Sequence, residues 1–152
     1  MNIQLSKISH YLRRFPFWIV LFFLIRLIGI TNPPLETAHN WRQVTTNMYA
    51  RNFLEIDNNP FYCRVDMAGN LSGITAKEFP VFNYLIYIAF ELFGFDHWYG
   101  RLINLIVSSF GLYFFYRIIK QISTPDIAFA SGIILAVSIW FAFSRKIMPD
   151  TF

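Results

Sequence analysis

Apolar residues in this chain are grouped into long blocks that are separated by polar segments. Three blocks carry almost no charge: Phe15–Ile30, which contains only Arg26, then Leu102–Tyr116 and Ile127–Phe143. A soluble core would spread its apolar residues at helical or strand spacing, whereas blocks that approach ~20 residues are typical of membrane-spanning helices. With their flanking residues, the blocks predict three spans, at about 15–31, 101–118 and 125–144.

A long polar segment, residues 32–78, follows the first block. Pro33-Pro34 and Asn58-Asn59-Pro60 are typical of turns. Between them, Thr45–Ile56 predicts a short surface helix that rests on lipid or protein. A loop of this length in a compact protein is usually functional.

The uncharged run Val81–Phe90 is short for a span and suits a re-entrant or juxtamembrane helix. Residues 32–100 are therefore predicted to form an outer loop with juxtamembrane helices. The alternative, in which residues 80–95 also cross the membrane, gives four spans. The count of basic residues on each side does not separate the two topologies.

Composition and charge agree with an all-α polytopic membrane protein. Charged residues make up 14% of the chain, against about a quarter in a soluble domain. The basic residues lie at the ends of apolar blocks and form no dense stripe, which argues against a nucleic-acid partner. Lys7, Arg13 and Arg14 precede the first block and predict a cytoplasmic amino terminus in the cell (inner) membrane. Arg26 is expected to reach the lipid interface.

Two local signals refine this picture. Thr124-Pro125-Asp126 predicts the start of the third span, with Thr124 as cap and Pro125 in the first helical position. Cys63 is the only cysteine of the chain, which excludes an internal disulfide. The sequence contains no pair of histidines at metal-binding spacing, so no residue is assigned to a metal.

Carboxylates at the membrane surface are the first candidates for chemistry. Glu36 follows the first span by about one turn, and Glu78 directly precedes the Val81–Phe90 run. A carboxylate beside a lipid carrier can act as general base on an acceptor hydroxyl or hold a divalent cation. The alternative interpretation of each is a solvated loop charge.

His39, Trp41, Arg42 and Gln43 place four functional side chains within five residues. Tryptophan and arginine are also typical of the headgroup region of a membrane, so a site role and an interfacial role both remain open. An arginine or lysine here can pair with a phosphate.

Several motifs occur in a characteristic order along the chain. They are Pro33-Pro34-Leu35-Glu36-Thr37-Ala38-His39-Asn40-Trp41-Arg42-Gln43, Ala50-Arg51-Asn52-Phe53, Lys77-Glu78-Phe79-Pro80, Leu92-Phe93-Gly94, Gly100-Arg101-Leu102 and Arg145 to Pro149-Asp150. In this order the chain resembles the beginning of bacterial GT-C glycosyltransferases, akin to protein O-mannosyltransferases and lipid A aminoarabinose transferases.

The resemblance implies a GT-C-type amino-terminal transmembrane module with a long outer first loop, three spans and a juxtamembrane helix. Residues 1–152 would be the amino-terminal part of a longer membrane fold and inactive alone. The implied reaction is an inverting transfer of sugar from a polyprenyl-phosphate carrier to a lipid, glycan or protein acceptor on the outer face. The partners are then that donor and membrane lipid, and a divalent metal would be compatible as cofactor.

The implied site contains the catalytic candidates Glu36 and Glu78. Its substrate- or phosphate-binding candidates are His39, Arg42, Gln43, Lys77 and Asp150. Relatives carry Asp-Glu shortly before the Ala-Arg helix, where this chain has Arg42-Gln43. That departure supports the alternative function, a non-catalytic membrane subunit or carrier-lipid binding module.

Overall fold

The computed structural model describes residues 14–34, 39–75 and 79–149, and its regular elements there are helical. The helices are α1 (Phe15–Leu27), α2 (Asn40–Glu55), α3 (Val81–Phe93), α4 (Tyr99–Ile122), α5 (Pro125–Val137) and α6 (Ile139–Phe143). Between α2 and α3 the loop contains one 3-10 turn, Asp66–Ala68, and an isolated bridge between Arg64 and Ile74. The predicted all-α class is confirmed.

Helix α4 is the one described helix that is long and apolar enough to cross a membrane. Its 24 residues rise roughly 36 Å, which exceeds the ~30 Å of a hydrocarbon core. Helix α4 therefore extends past the predicted span of 101–118. The apolar helices α1, α3 and α5 are shorter, with 13 residues each.

The third predicted span, 125–144, is divided at Ser138, where α5 ends and α6 begins. Ser138 has extended backbone angles, and its Oγ donates to the Leu135 carbonyl at 2.7 Å and accepts from the Phe141 amide at 3.3 Å. A serine that bonds nearby backbone groups competes with the helical hydrogen bonds. The apolar pattern continues through this point, so the break is a correction to the continuous helix predicted from it.

The break creates the binding position of Arg26. Its Nη2 donates to the Ala136 carbonyl at 3.0 Å, and its guanidinium lies 4.7 Å from the centre of the Phe141 ring. An interrupted helix leaves carbonyls without their usual amide partners, and the arginine satisfies one of them. Arg26 thus ties α1 to the α5–α6 junction.

Helices α1, α4 and α5 pack together around a core of Phe15, Leu112, Ala136 and Phe141. The Phe15 ring stacks on Tyr116 with centroids 4.3 Å apart. Gly132 of α5 allows this approach, because a Cβ there would come within 2.4 Å of the Phe15 ring. Small residues at helix contacts are the usual means of close packing in membranes.

A second packing unit joins α2 and α3 to the start of α4. Its core contains Ala50, Phe82, Ile86, Phe90 and Ile147. Helix α2 begins at Asn40, five residues before the predicted Thr45. The ring of Phe53 is buried, in edge contact with Tyr84 at 5.7 Å, so this face of the helix rests on protein.

The predicted start of the third span is confirmed. Thr124 is the N-cap of α5, and its side chain accepts from the Ile127 amide at 3.4 Å. Pro125 occupies the first helical position, where its missing amide hydrogen has no cost.

Candidate functional site

The predicted site residues divide into two groups. Glu36, Lys77, Glu78 and Asp150 lie outside the described residues. His39, Arg42 and Gln43 are described, and they lie at the beginning of α2. The structure gives these three side chains different surroundings, so they do not form one cluster.

Arg42 lines a small cavity between the first turns of α2 and α3. The cavity has a volume of about 50 Å³, enough for a few water molecules or one small polar group. Its walls are polar on the α2 side and include Pro80 and Asn83 from α3. The lining residues are Trp41, Arg42, Thr45, Thr46, Tyr49, Cys63, Pro80 and Asn83.

The electrostatic environment of this cavity favours an anion. The amino-terminal turns of both α2 and α3 contribute to its walls, and neither N-cap side chain, His39 or Pro80, caps its helix. The amino-terminal turn of a helix carries the positive end of the helix dipole. The cationic side chain of Arg42 lines the same cavity.

Side-chain hydrogen bonds to backbone carbonyls of α2 fix the residues of the cavity wall. Asn83 Nδ2 donates to the Thr46 carbonyl at 3.0 Å, which fixes α3 against α2. Thr46 Oγ1 donates to the Arg42 carbonyl at 2.8 Å, and Thr45 Oγ1 donates to the Trp41 carbonyl at 2.8 Å. Both hydroxyl oxygens keep lone pairs that can accept a hydrogen bond from a ligand.

Cys63 lies in the cavity wall, but it is a poor nucleophile. Its side chain is buried, and burial raises the pKa of the thiol. The thiolate is the reactive form of cysteine, so a raised pKa keeps this group protonated and inert at neutral pH. Cys63 therefore has a packing role, as an apolar contact of Tyr49 and Phe53.

Three of the five carboxylates in the loop 32–78 are used to hold that loop together. Asp66 accepts from Asn52 Nδ2 at 2.9 Å and from the Arg51 guanidinium, and these two partners hold the pKa of Asp66 below its ordinary value. Glu55 pairs with Arg51 at 3.5 Å. Asp57 pairs with Arg64 at 3.6 Å. The remaining two are Glu36 and Glu78.

Arg101, at the start of α4, is a buried arginine that sequence reasoning did not assign to the site. Its side chain is fully buried, and Nη1 donates to the carbonyls of Ile30, at 2.9 Å, and Asn32. Nη2 donates to the Pro33 carbonyl at 3.3 Å. Arg101 therefore fixes the beginning of the segment between α1 and α2. In the sequence it borders an apolar block and resembles an interfacial charge, so hydropathy carries no signal of its burial.

Gln43 is the partner of Arg101 in α2. Its Oε1 lies 3.4 Å from Arg101 Nε and 3.4 Å from the Ile147 amide, and the side chain is fully buried. Asn104 of α4 binds the same carboxyl-terminal segment, since its Nδ2 donates to the Lys146 carbonyl at 2.8 Å. This buried polar network joins α2, α4 and the segment after α6.

His39 precedes α2 in the left-handed backbone region, with φ of 60°. Its ring makes an edge contact with Phe143 of α6, with centroids 5.3 Å apart. His39 thereby connects the start of α2 to α6.

No group of three or more His, Cys, Asp or Glu side chains within residues 14–34, 39–75 and 79–149 is arranged to hold a metal ion. The described part of the chain thus assigns no metal ligand.

Comparison with known families agrees with the helical architecture. A family model described as dolichyl-phosphate-mannose-protein mannosyltransferase matches residues 77–152, which is half of the chain. The chain belongs to this family. It is a family of GT-C-type glycosyltransferases and membrane proteins, so the resemblance inferred from the sequence motifs is confirmed at that level. No curated protein and no solved structure matches the chain.

The matched region begins at the Lys77-Glu78-Phe79-Pro80 motif and continues through α3 to α6. It therefore includes Lys77, Glu78 and Asp150. The cavity walls come from both parts of the chain, with Pro80 and Asn83 inside the match and Arg42 before it.

Proposed function

We propose that this protein transfers a sugar from a polyprenyl-phosphate carrier to a lipid, glycan or protein acceptor on the outer face of the inner membrane. The proposal assumes three spans, a cytoplasmic amino terminus and residues 32–100 outside. The observation that carries it is the anion-favouring cavity with Arg42 in a member of a glycosyltransferase family. The family description names dolichyl-phosphate-mannose, and we adopt from it the carrier class.

Glu36 or Glu78 is the general base in this proposal. The support is partly by elimination, because Glu55, Asp57 and Asp66 are engaged with Arg51 and Arg64. Glu78 also stands two positions before Pro80, which lines the cavity. A base must come within hydrogen-bond reach of the hydroxyl proton that it removes.

The reaction is a displacement at the anomeric carbon. The base takes the proton of the acceptor hydroxyl, the hydroxyl oxygen forms a bond to the anomeric carbon, and the bond from that carbon to the carrier phosphate oxygen breaks with inversion. Negative charge develops on the leaving phosphate, so a cation that faces it lowers the barrier. Arg42 and Lys77 have this role in the proposal.

The other predicted residues position these groups or bind substrate. Gln43 holds Arg101, and Arg101 holds the carbonyls of residues 30–33 directly before the segment with Glu36. His39 sets the start of α2 against α6, one turn before Arg42. Asp150 is proposed as a substrate-binding residue beside the segment that Asn104 fixes.

The proposal is tested with the purified full-length protein in liposomes that contain a labelled polyprenyl-phosphate-linked sugar and a membrane extract as acceptor. The expected products are a glycosylated acceptor and the polyprenyl monophosphate. Arg42→Gln should reduce turnover by roughly 10²-fold, as for the loss of one group that stabilises transition-state charge. Arg64→Gln, a loop arginine paired with Asp57, is the matched control and should retain turnover.

Saturable binding of the lipid-linked sugar without any turnover would support the alternative function, a carrier-lipid binding module. That alternative draws on Arg42-Gln43, which stand where the family resemblance implies Asp-Glu. If the protein neither binds nor turns over any polyprenyl-phosphate donor, the proposed function is overturned.

A further inference from the structure

An amphiphilic groove lies between α1 and α4, at the end of the helix bundle where α1 begins. Its apolar part has a volume of about 450 Å³, and its lining exposes only apolar surface. It extends from Pro16 to Phe23 on α1 and from Tyr113 back to Ile106 on α4. Seven helical residues rise roughly 10 Å, so the groove runs along both helix axes for about this length.

A polar cavity of about 780 Å³ continues this groove. Pro16 and Tyr113 line both spaces, so the two are contiguous. Both volumes fall within the ~300–1,000 Å³ range of small-molecule sites. The residues around the polar cavity are Arg14, Phe15, Pro16, Tyr113, Tyr116, Arg117, Lys120, Pro125, Asp126 and Phe129.

Positive charge dominates the polar cavity, because Arg14, Arg117 and Lys120 face a single carboxylate, Asp126. Arg117 donates to the Tyr113 hydroxyl at 3.1 Å, and Lys120 Nζ lies 5.9 Å from the Tyr116 ring centre. Aromatic contacts therefore hold both cations at the mouth of the groove. No carboxylate among the described residues forms an ion pair with Arg117 or Lys120.

We propose that this groove binds an anionic phospholipid, with its phosphate headgroup among Arg14, Arg117 and Lys120 and an acyl chain in the apolar part. The cavity on one side of Pro16 and Tyr113 is cationic, and the groove on the other side is apolar. This arrangement matches a molecule that is anionic at one end and apolar at the other. Basic pockets between transmembrane helices are a known mode of binding for acidic headgroups. An apolar protein segment would leave Arg117 and Lys120 without a counter-charge, so charge complementarity selects the lipid.

This site is separate from the proposed sugar-transfer site. The cavity with Arg42 lies at the amino-terminal turns of α2 and α3, and it shares no lining residue with the groove. The phospholipid would therefore be a structural or regulatory lipid that joins α1 to α4. Its binding does not require that the protein transfers sugar.

The test uses the full-length protein in nanodiscs of phosphatidylcholine with added phosphatidylglycerol, and native mass spectrometry to count the lipids that remain bound. Wild type should retain phosphatidylglycerol in preference to phosphatidylcholine. In the double variant Arg117→Gln/Lys120→Gln, the retention of phosphatidylglycerol should fall roughly 10- to 30-fold, because each lost cation weakens binding to an anionic headgroup by about 1 kcal/mol. The charge-conserving variant Arg117→Lys/Lys120→Arg should restore most of it.

A second pair of variants tests the apolar part without changing charge. Val20→Trp fills the groove and should displace the lipid, whereas Val107→Trp, on an exposed part of α4 that does not line the groove, should leave it bound. Glycerol phosphate should compete only weakly, because it lacks the acyl chain. If Val20→Trp does not fold, the charge variants still decide the result.

Unchanged lipid retention in the double glutamine variant would overturn the proposal. Full competition by glycerol phosphate would also overturn it, since that result assigns the cations to a free phosphate. A wild-type dimer that Val20→Trp disrupts, with no change in lipid retention, would assign the groove to a second copy of the chain and equally contradict the proposal.

Discussion

Arg101 Nε of α4 lies 3.4 Å from Gln43 Oε1 of α2, and both side chains are fully buried. The contact joins α2, which precedes the family-matched region, to α4 within that region. The Ile147 amide points to the same oxygen at 3.4 Å. Gln43 is thus an acceptor for two buried donors from distant parts of the sequence.

The Gln43 side chain is predicted to stabilise the fold through its oxygen and not through its nitrogen. Nε2 is buried without a hydrogen-bond partner among the described residues. Gln43→Glu keeps the acceptor oxygen beside Arg101 and replaces the unpartnered Nε2 donor by a second oxygen. The free energy of unfolding should therefore stay within about 1 kcal/mol of wild type or rise. Gln43→Leu removes the acceptor and should lower stability by about 1–3 kcal/mol.

The measurement is the melting temperature of wild type and of both variants in the same detergent. The two variants change the same side-chain atoms, so they can be compared directly. If Gln43→Leu unfolds at the wild-type temperature, the buried network has no part in stability.

Gly132 is predicted to be intolerant of a side chain. Gly132→Ala would place a Cβ within 2.4 Å of the Phe15 ring, which overpacks the contact between α1 and α5 and should cost about 1–3 kcal/mol. Gly111→Ala on α4 is the matched control, because its Cβ would contact no other part of the described structure beyond its own helix backbone. Alanine there should be neutral or stabilising by up to about 1 kcal/mol, from helix propensity. Equal melting temperatures of the two variants would contradict the α1–α5 packing.

The topology is predicted to place Gly69 and Asp96 on one side of the membrane and Gln121 on the other. Helix α3 has 13 residues and rises roughly 20 Å, which is short for a ~30 Å hydrocarbon core. Helix α4, between Asp96 and Gln121, is long enough to cross. Reporter fusions after these three residues provide the measurement. An opposite result for Gly69 and Asp96 would establish four spans.

Cys63 is predicted to react slowly with alkylating reagents. The thiol is buried, and its raised pKa lowers the thiolate fraction at any pH below that value. Iodoacetamide at pH 7.5 should label Cys63 at least roughly 10-fold more slowly in the folded protein than in detergent-denatured protein. The Cys63→Ser protein with Ser72→Cys, an exposed position in the same loop, serves as the fast control. Equal rates at both positions would show that the loop does not cover Cys63.

The sequence predicts elements well where local chemistry sets them. The start of α5 follows from Thr124 and Pro125, whose capping roles depend on neighbours in the sequence. Ser138 is harder to interpret, because its side chain breaks the third apolar block without altering the hydropathy of that block. The burial of Arg101 is the hardest feature to predict from the sequence, because it depends on carbonyls of residues 30–33, about 70 positions earlier in the chain.

The candidate site shows the same division. The sequence predicts a phosphate contact for Arg42, and the structure places this residue in the wall of a polar cavity. The second wall, with Pro80 and Asn83, comes from contacts between α2 and α3 that have no local signature. Motif order predicts the family, while the pairing of helices creates the cavity.

The central claim is that a carboxylate of the outer loop acts as base in sugar transfer. It is tested most directly by the turnover of Glu36→Gln, Glu78→Gln and Glu55→Gln in the full-length protein, at equal protein levels. Glu55 is the matched control, because it lies in the same loop and pairs with Arg51 at 3.5 Å. One of the first two variants should lose roughly 10²–10⁴-fold in turnover, and Glu55→Gln should remain active. Wild-type turnover in both Glu36→Gln and Glu78→Gln would contradict the account.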